Sequence, residues 1–226
     1  MIFTFWEGPK PAYIELCMET WPFEFVELNY ENLHKYTDLP MDLVKQYPLQ
    51  QVADIVRVHV LRDNGGVWLD ADTIALGKKL PEETILGWNH SRHNTIGFLR
   101  TEAHSDMFEK WAAFQDDIME KVPGPPRWSM FGNEFTDWYL TEHKEIQIGD
   151  IAQRWPETYM IRSNVTRSEK YGVFYFGLSH KLGHIYPTDI IMLHNSWTPK
   201  KYKRMSRDKV LSSDCTLSNI LREVLL

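Results

Sequence analysis

The chain alternates short continuous apolar runs with longer stretches in which apolar residues return every three or four positions. That rhythm predicts strands alternating with helices, hence an α/β protein. Residues 2–6 (IFTFW) read as a buried first strand, broken by Gly8, Pro9 and Pro11. A helix is expected to follow as far as Trp21, where Pro22 stops it, and residues 23–28 (FEFVEL) read as a second strand ending at Asn29. A strand, a helix and another strand in this order predict a parallel pair joined by a crossover. Val52, Ile55, Val56 and Val60 predict a helix over 49–62, with Asn64, Gly65 and Gly66 as its stop and 67–69 as a short strand after it. Further on, 85–88 and 96–100 read as strands and 105–121 as an amphipathic helix. The stretch 122–127, with three prolines, reads as a loop, and 133–141 as another helix. Residues 173–176 (VFYF) and 190–193 (IIML) are expected to be late strands, and 210–226 carries a helical pattern.

At 226 residues the chain fits one α/β domain, with a mostly parallel central sheet flanked by helices. It is read as a monomer or as one domain of a longer protein. The net charge of -6 argues against a nucleic-acid partner, because phosphate-backbone binding needs a dense positive surface. Lys200, Lys201, Lys203 and Arg204 cluster, but suit one diphosphate better than a duplex. Two distant cysteines, Cys17 and Cys215, offer no metal-ligand spacing and fit a reducing compartment. No window reaches the roughly 18 apolar residues of a membrane span, and a cytoplasmic location is expected.

Candidate chemistry concentrates in residues 53–73, ADIVRVHVLRDNGGVWLDADT. Asp70 and Asp72 leave a strand end separated by one residue, where open α/β sheets collect ligands. Paired carboxylates are hard oxygen ligands suited to Mn²⁺ or Mg²⁺ that still leave coordination positions for phosphate. Asp54 and Arg57, three apart on the expected helix, share a face. His194 ends the last strand and precedes Lys200 by six residues in HNSWTPK.

The helix carrying Ala53, Asp54 and Arg57, followed by Gly65, Gly66, Trp68, Asp70 and Asp72, resembles the donor-binding signature of glycosyltransferases with the A-type fold, in particular the sugar-binding family with a DXD motif. The opening Trp6, Gly8 and Pro9, with Cys17 and Trp21 after it, is similar to that family's start, with Thr20 where the family carries Ser. Compact members with this look include bacterial capsule and lipopolysaccharide enzymes and chlorella-virus enzymes that glycosylate the capsid protein. The resemblance covers about the first 75 residues and resumes at His194, where Trp197 replaces a family Gly.

The resemblance implies a hexosyltransferase that uses a nucleotide sugar, UDP-hexose first, and a glycan or glycoprotein acceptor. It places the nucleotide sugar in residues 1–100, and the acceptor together with a C-terminal metal and phosphate segment in 101–226. Asp72 would bind the metal, Asp70 the metal, the ribose or both, and His194 would complete the shell, which favours Mn²⁺ over Mg²⁺. Asp54 would accept from sugar hydroxyls, Arg57 steer the sugar or phosphate, and Lys200 hold the diphosphate. Trp6, Gly8 and Asn29 would lie at the nucleobase. Asp106, Glu134 and Asp137 are candidate bases on the acceptor side, with nothing to choose among them, so retention or inversion is open. Two alternatives use the same acidic pair: a haloacid-dehalogenase-like phosphatase, with Asp70 as nucleophile and Asp72 as general acid, and a nucleotide-sugar binder without turnover.

Overall fold

The computed structural model of the protein describes residues 1–87, 94–122, 126–150, 166–182 and 189–226. The end of the expected 85–88 strand and the centre of the Pro-rich loop lie outside the described residues. In chain order the elements are β1 (Ile2–Phe5), α1 (Ala12–Glu19), β2 (Val26–Leu28), α2 (Met41–Val44), α3 (Leu49–Asn64), β3 (Gly66–Leu69), β4 (Thr73–Ala75), β5 (Ile85–Gly87) and β6 (Asn94–Thr101). After these come α4 (Asp106–Lys121), α5 (Asn133–Glu142), β7 (Ile148–Asp150), α6 (Arg167–Gly172), β8 (Ile190–Met192), α7 (Lys200–Lys203), α8 (Arg207–Ser212) and α9 (Thr216–Leu225). They form two compact units between which the chain passes several times. One holds Met1–Gly8, Phe23–Asp70 and Glu82–Asp150; the other holds Pro9–Pro22, Ala71–Pro81 and Ile151–Leu226.

The first unit is built on a six-stranded sheet in the order β2-β1-β3-β6-β5-β7. Three of its five pairings are parallel, β1 with β2, β1 with β3 and β5 with β7; β6 runs antiparallel to both neighbours. The expected parallel pair is present, with Phe3 opposite Val26 and Phe5 opposite Leu28. Helix α3 is buried from Asp54 to Leu61 on every side, because it lies within a core that includes Phe3, Val56, Trp68, Leu99, Phe108 and Trp111. Its stop uses two left-handed glycines. Gly65 (φ 63°) ends the helix and Gly66 (φ 101°) starts β3, where a side chain would collide with the Met1 carbonyl. Met1 O accepts the Val67 N–H at 2.9 Å, and Asp70 N–H continues the ladder onto Gly97 O at 2.8 Å. This fixes the strand end that carries Asp70.

The second unit pairs β4 with β8 antiparallel and surrounds them with helices. Its buried side chains include Tyr13, Ile14, Ile74, Tyr171, Ile191, Tyr202 and Leu217. Here one sequence expectation is corrected. Residues 173–176 are not a strand: a helical turn of wider bore over Val173–Gly177 continues α6. The capping box between Thr166 and Glu169 starts that helix, and the chain keeps its sense, burying Phe174 and Tyr175 while Val173 faces out. A continuous apolar run carries no period by which strand and helix differ. The 210–226 pattern is likewise split into α8 and α9, with a break at Ser213–Cys215.

Candidate functional site

In the first unit, α3 and the end of β3 bring three charged side chains together. The Arg57 guanidinium lies 3.0 Å from Asp54 Oδ1 and 3.2 Å from Asp70 Oδ1. Its other donors go to backbone: Nε–H to Ala53 O at 3.1 Å and Nη1–H to Ile96 O at 2.5 Å. The planar fork of an arginine is suited to such multiple engagement, and Arg57 is 4% exposed. Asp70 is the outward member, its side chain 33% exposed against 11% for Asp54. Burial pushes the Asp54 carboxyl up to about 7; Arg57 pulls it down and Asp70 pushes it up further.

Trp68 completes this cluster. Its indole Nε1–H donates to Asp70 Oδ1 at 2.8 Å, and the Arg57 guanidinium lies 5.3 Å from its ring centroid. Sequence reasoning counted Trp68 within the donor-binding signature but gave its side chain no role. The signal was there, since residues two apart on a strand point to the same side, which sets Trp68 beside Asp70. Gln115 of α4 was also passed over. Its side-chain amide donates to Asp54 O at 3.0 Å and Phe131 O at 2.6 Å, tying α3 to the turn before α5.

At the end of β1, Trp6 keeps its backbone N–H on Leu28 O, while its buried indole N–H meets no acceptor among the described residues. Gly8 adopts φ 82° with open space where a side chain would stand. Asn29 forms a turn, its side-chain oxygen accepting from the N–H groups of Glu31 and Asn32. Glu7 accepts the Tyr30 N–H at 3.0 Å. An unsatisfied indole donor beside a glycine and a polar turn is a place where a flat, hydrogen-bonding group fits.

In the second unit Asp72 and His194 are neighbours. Leu193 N–H donates to Asp72 O at 3.1 Å and Asn195 N–H to Asp72 Oδ2 at 2.7 Å, so Asp72 brackets His194 from both sides. Behind them the Tyr171 hydroxyl accepts the His194 N–H at 3.2 Å, Tyr13 donates to Asn195 Oδ1 at 2.5 Å, and Trp197 packs on the imidazole at 4.0 Å. Burial first, and then the charge of Asp72, push up the hydroxyl of Tyr13 and the thiol of Cys17. Of the basic cluster, Lys200 is exposed. Lys203 is half-buried; burial lowers its ammonium pKa, against an upward pull from Asp72.

The three candidate bases fall on α4 and α5 in the first unit. Asp106 is at the surface, accepting from Lys110 and the Tyr139 hydroxyl, which hold its carboxyl below the usual range. Glu134 accepts from Ser129 at 2.8 Å and Arg127 at 3.0 Å, and Asp137 from the Asn94 amide at 3.1 Å. Among the described residues no group of three or more His, Cys, Asp or Glu converges as a ready-made metal cage. Asp72 and His194, brought together through the backbone of residues 193–195, are of the residue types that ligate a divalent cation.

The sequence pattern of a family described as "Capsular polysaccharide synthesis protein" matches residues 2–178. No curated protein matches the chain. Among solved structures, a chain described as "PaToxG Glycosyltransferase" is similar at 15% identity with a TM-score of 0.44, over 63% of this chain and 67% of that one. Among the described residues no helix is long and apolar enough to cross a membrane.

Proposed function

We propose a function from one premise: the chain belongs to the capsular polysaccharide synthesis protein family. Membership supports glycosyl transfer, since a polysaccharide grows by making glycosidic bonds. The reading we favour is a metal-dependent hexosyltransferase that takes its sugar from a nucleotide donor, UDP-hexose first, and passes it to a glycan acceptor. The observation that carries it is the Asp54–Arg57–Asp70 cluster, a buried guanidinium between two carboxylates with one of them, Asp70, turned outward at a strand end.

In this reading Asp70 meets the ribose or the cation, and Arg57 acts through it. With four donor contacts already made to protein, the guanidinium fixes the angle of Asp70 and Asp54 more than it reaches a ligand. Asp54 accepts from hydroxyls of the donor sugar, and Trp6, Gly8 and Asn29 border the nucleobase. Asp72 and His194 would hold Mn²⁺, with Mg²⁺ as the alternative; Ala71 alone separates Asp72 from Asp70 in sequence. The bound cation supplies Lewis-acid stabilisation of the departing diphosphate. Lys200 and Lys203 would add positive charge for the same diphosphate; burial works against the charged form of Lys203 and Asp72 works for it. The acceptor hydroxyl then attacks the anomeric carbon as the bond to the diphosphate breaks, with its proton passing to a carboxylate or a phosphate oxygen.

The test is a screen of UDP-hexoses for UDP release, with Mn²⁺, Mg²⁺ or chelator, beside a phosphate ester under the same conditions. Metal-dependent UDP release that is lost in Asp72→Asn, with the fold retained by circular dichroism, is the expected result. Hydrolysis of the ester alone would transfer Asp70 and Asp72 to phosphatase chemistry. Heat on titration of UDP-sugars without UDP release, with and without added glycan, would make the protein a binder.

A further inference from the structure

Among the described residues the first unit carries two indoles that the fold leaves in solvent. Trp128 is 70% exposed and Trp138 is 56% exposed, whereas Trp68 and Trp111 of the same unit are buried. Burying a side chain of this size contributes about 1.5–3 kcal/mol, so a fold that leaves two of them out forgoes a sizeable gain. Trp138 is not loose: its ring packs edge-on against Phe135 at 5.6 Å and Tyr139 at 6.1 Å, leaving its remaining surface as a fixed platform.

Along the chain Glu134 lies between the two. Trp138 is one helical turn beyond it on the same side of α5. Trp128 sits between Arg127 and Ser129, the two residues that hydrogen-bond the two oxygens of Glu134. An ionised carboxylate offers about four lone-pair sites, and these two bonds fill two, so the group is fixed in place with capacity to accept twice more. Asp137, held by Asn94, adds a second oriented carboxylate on the neighbouring position of the helix. Flat apolar faces beside immobilised hydrogen-bond acceptors match a pyranose, which has an apolar C–H face and a rim of hydroxyl donors. The turn that starts the same helix lies beside Asp54. Gly132, at the start of α5, stands where a Cβ would lie 3.6 Å from Asp54 Oδ2.

We propose that this face is the acceptor subsite: a neutral pyranose of the acceptor glycan stacks on Trp128 and Trp138 and donates hydroxyl hydrogen bonds to Glu134. The assignment rests on the glycosyl-transfer reading, and gives Glu134 a binding role. It makes the acceptor a glycan with an uncharged sugar at this position, because Arg127 already offsets the Glu134 charge and Asp137 would repel an anionic sugar.

The experiment follows the indole N–H resonances of ¹⁵N-labelled protein, assigned by single Trp→Phe substitutions, during titration with methyl glycosides of glucose, galactose, mannose and N-acetylglucosamine. At least one glycoside is expected to move the Trp128 and Trp138 signals together and leave buried Trp111 still. Glu134→Gln should weaken that response about tenfold, as loss of a charged hydrogen-bond acceptor does. If none of the four moves either signal up to its solubility limit, the subsite is wrong. It is equally wrong if a double Trp128→Ala, Trp138→Ala variant converts a dimer to a monomer in sedimentation, which would assign the face to self-association. Donor binding has its own reporter in the same sample. Trp68 is bonded to Asp70, so UDP with Mn²⁺ should move its signal; a silent Trp68 beside responsive Trp128 and Trp138 would sink the donor reading alone.

Discussion

At the scale of single residues, the charged cluster of α3 and β3 makes Arg57 the side chain on which most depends. Removing one partner of a buried ion pair leaves the other desolvated and uncompensated, which costs about 3–5 kcal/mol. Arg57→Ala strands both Asp54 and Asp70, and we expect a loss of that size in urea unfolding; a loss below about 1 kcal/mol would mean the pairing is not maintained in solution. Trp68→Phe deletes the hydrogen bond to the Asp70 carboxylate, worth about 1.5–3 kcal/mol, and also part of a buried ring, so a loss of at least that size is expected in urea unfolding. Asp54 adds a pH signature. Its carboxyl titrates at about 7 in the fold, above its ordinary 3.8, so the folded state binds a proton that the unfolded state releases between those values. Its contribution to stability is therefore complete below about pH 4 and disappears as pH rises through 7. Against Asp54→Asn, which has no such proton, the wild type should gain in urea midpoint as pH falls from 8 to 6. An unchanged gap between the two proteins would place the Asp54 titration elsewhere.

At the scale of elements, the glycine pair between α3 and β3 does the positioning. Gly66 has a left-handed φ and lies against the Met1 carbonyl, a backbone atom that cannot rotate away. Gly66→Ala combines strain with a clash that must push β1 from β3, and a loss of at least about 1–3 kcal/mol is expected in urea unfolding. Ala at Gly8, where the space is open, should carry only the conformational cost. These elements were readable because glycines, prolines and periodic apolar positions mark their limits: α3, β3, α4 and α5 fall within a few residues of their expected bounds. The elements that escaped lack those marks. β4 and β7 are three residues long, too short for any alternation to register, and Val173–Gly177 is an apolar run whose helical sense comes from the Thr166 cap upstream. Of the site, the identities of Asp54, Arg57 and Asp70 were legible from spacing. The bonds that bind them into one cluster were not, since Arg57 reaches Ile96 and Asp70 through tertiary contacts.

At the scale of the whole molecule, the proposed function links donor binding to folding. A nucleotide engaging Asp70 and a cation held by Asp72 would bind only where the chain has folded, because neither the Arg57 cluster nor the Asp72–His194 neighbourhood exists in the unfolded chain. Such a ligand stabilises by mass action, about 2.7 kcal/mol at a hundredfold excess over its dissociation constant. For a protein of this size a gain of that order raises Tm by roughly 5–10 °C. UDP and Mn²⁺ together should therefore raise the melting temperature, chelator should remove most of the shift, and each alone should give less than the pair, since in the proposed reading phosphate oxygens would complete the cation's shell. Asp72→Asn should melt near the wild-type temperature without ligand and lose the Mn²⁺-dependent part of the shift while keeping a smaller response to UDP. That asymmetry separates a cation site from a merely structural carboxylate: were Asp72 only a cap for the Asn195 N–H, the substitution would lower the unliganded Tm and leave the ligand shift unchanged. A full Mn²⁺-dependent shift in the variant would remove Asp72 from the metal shell.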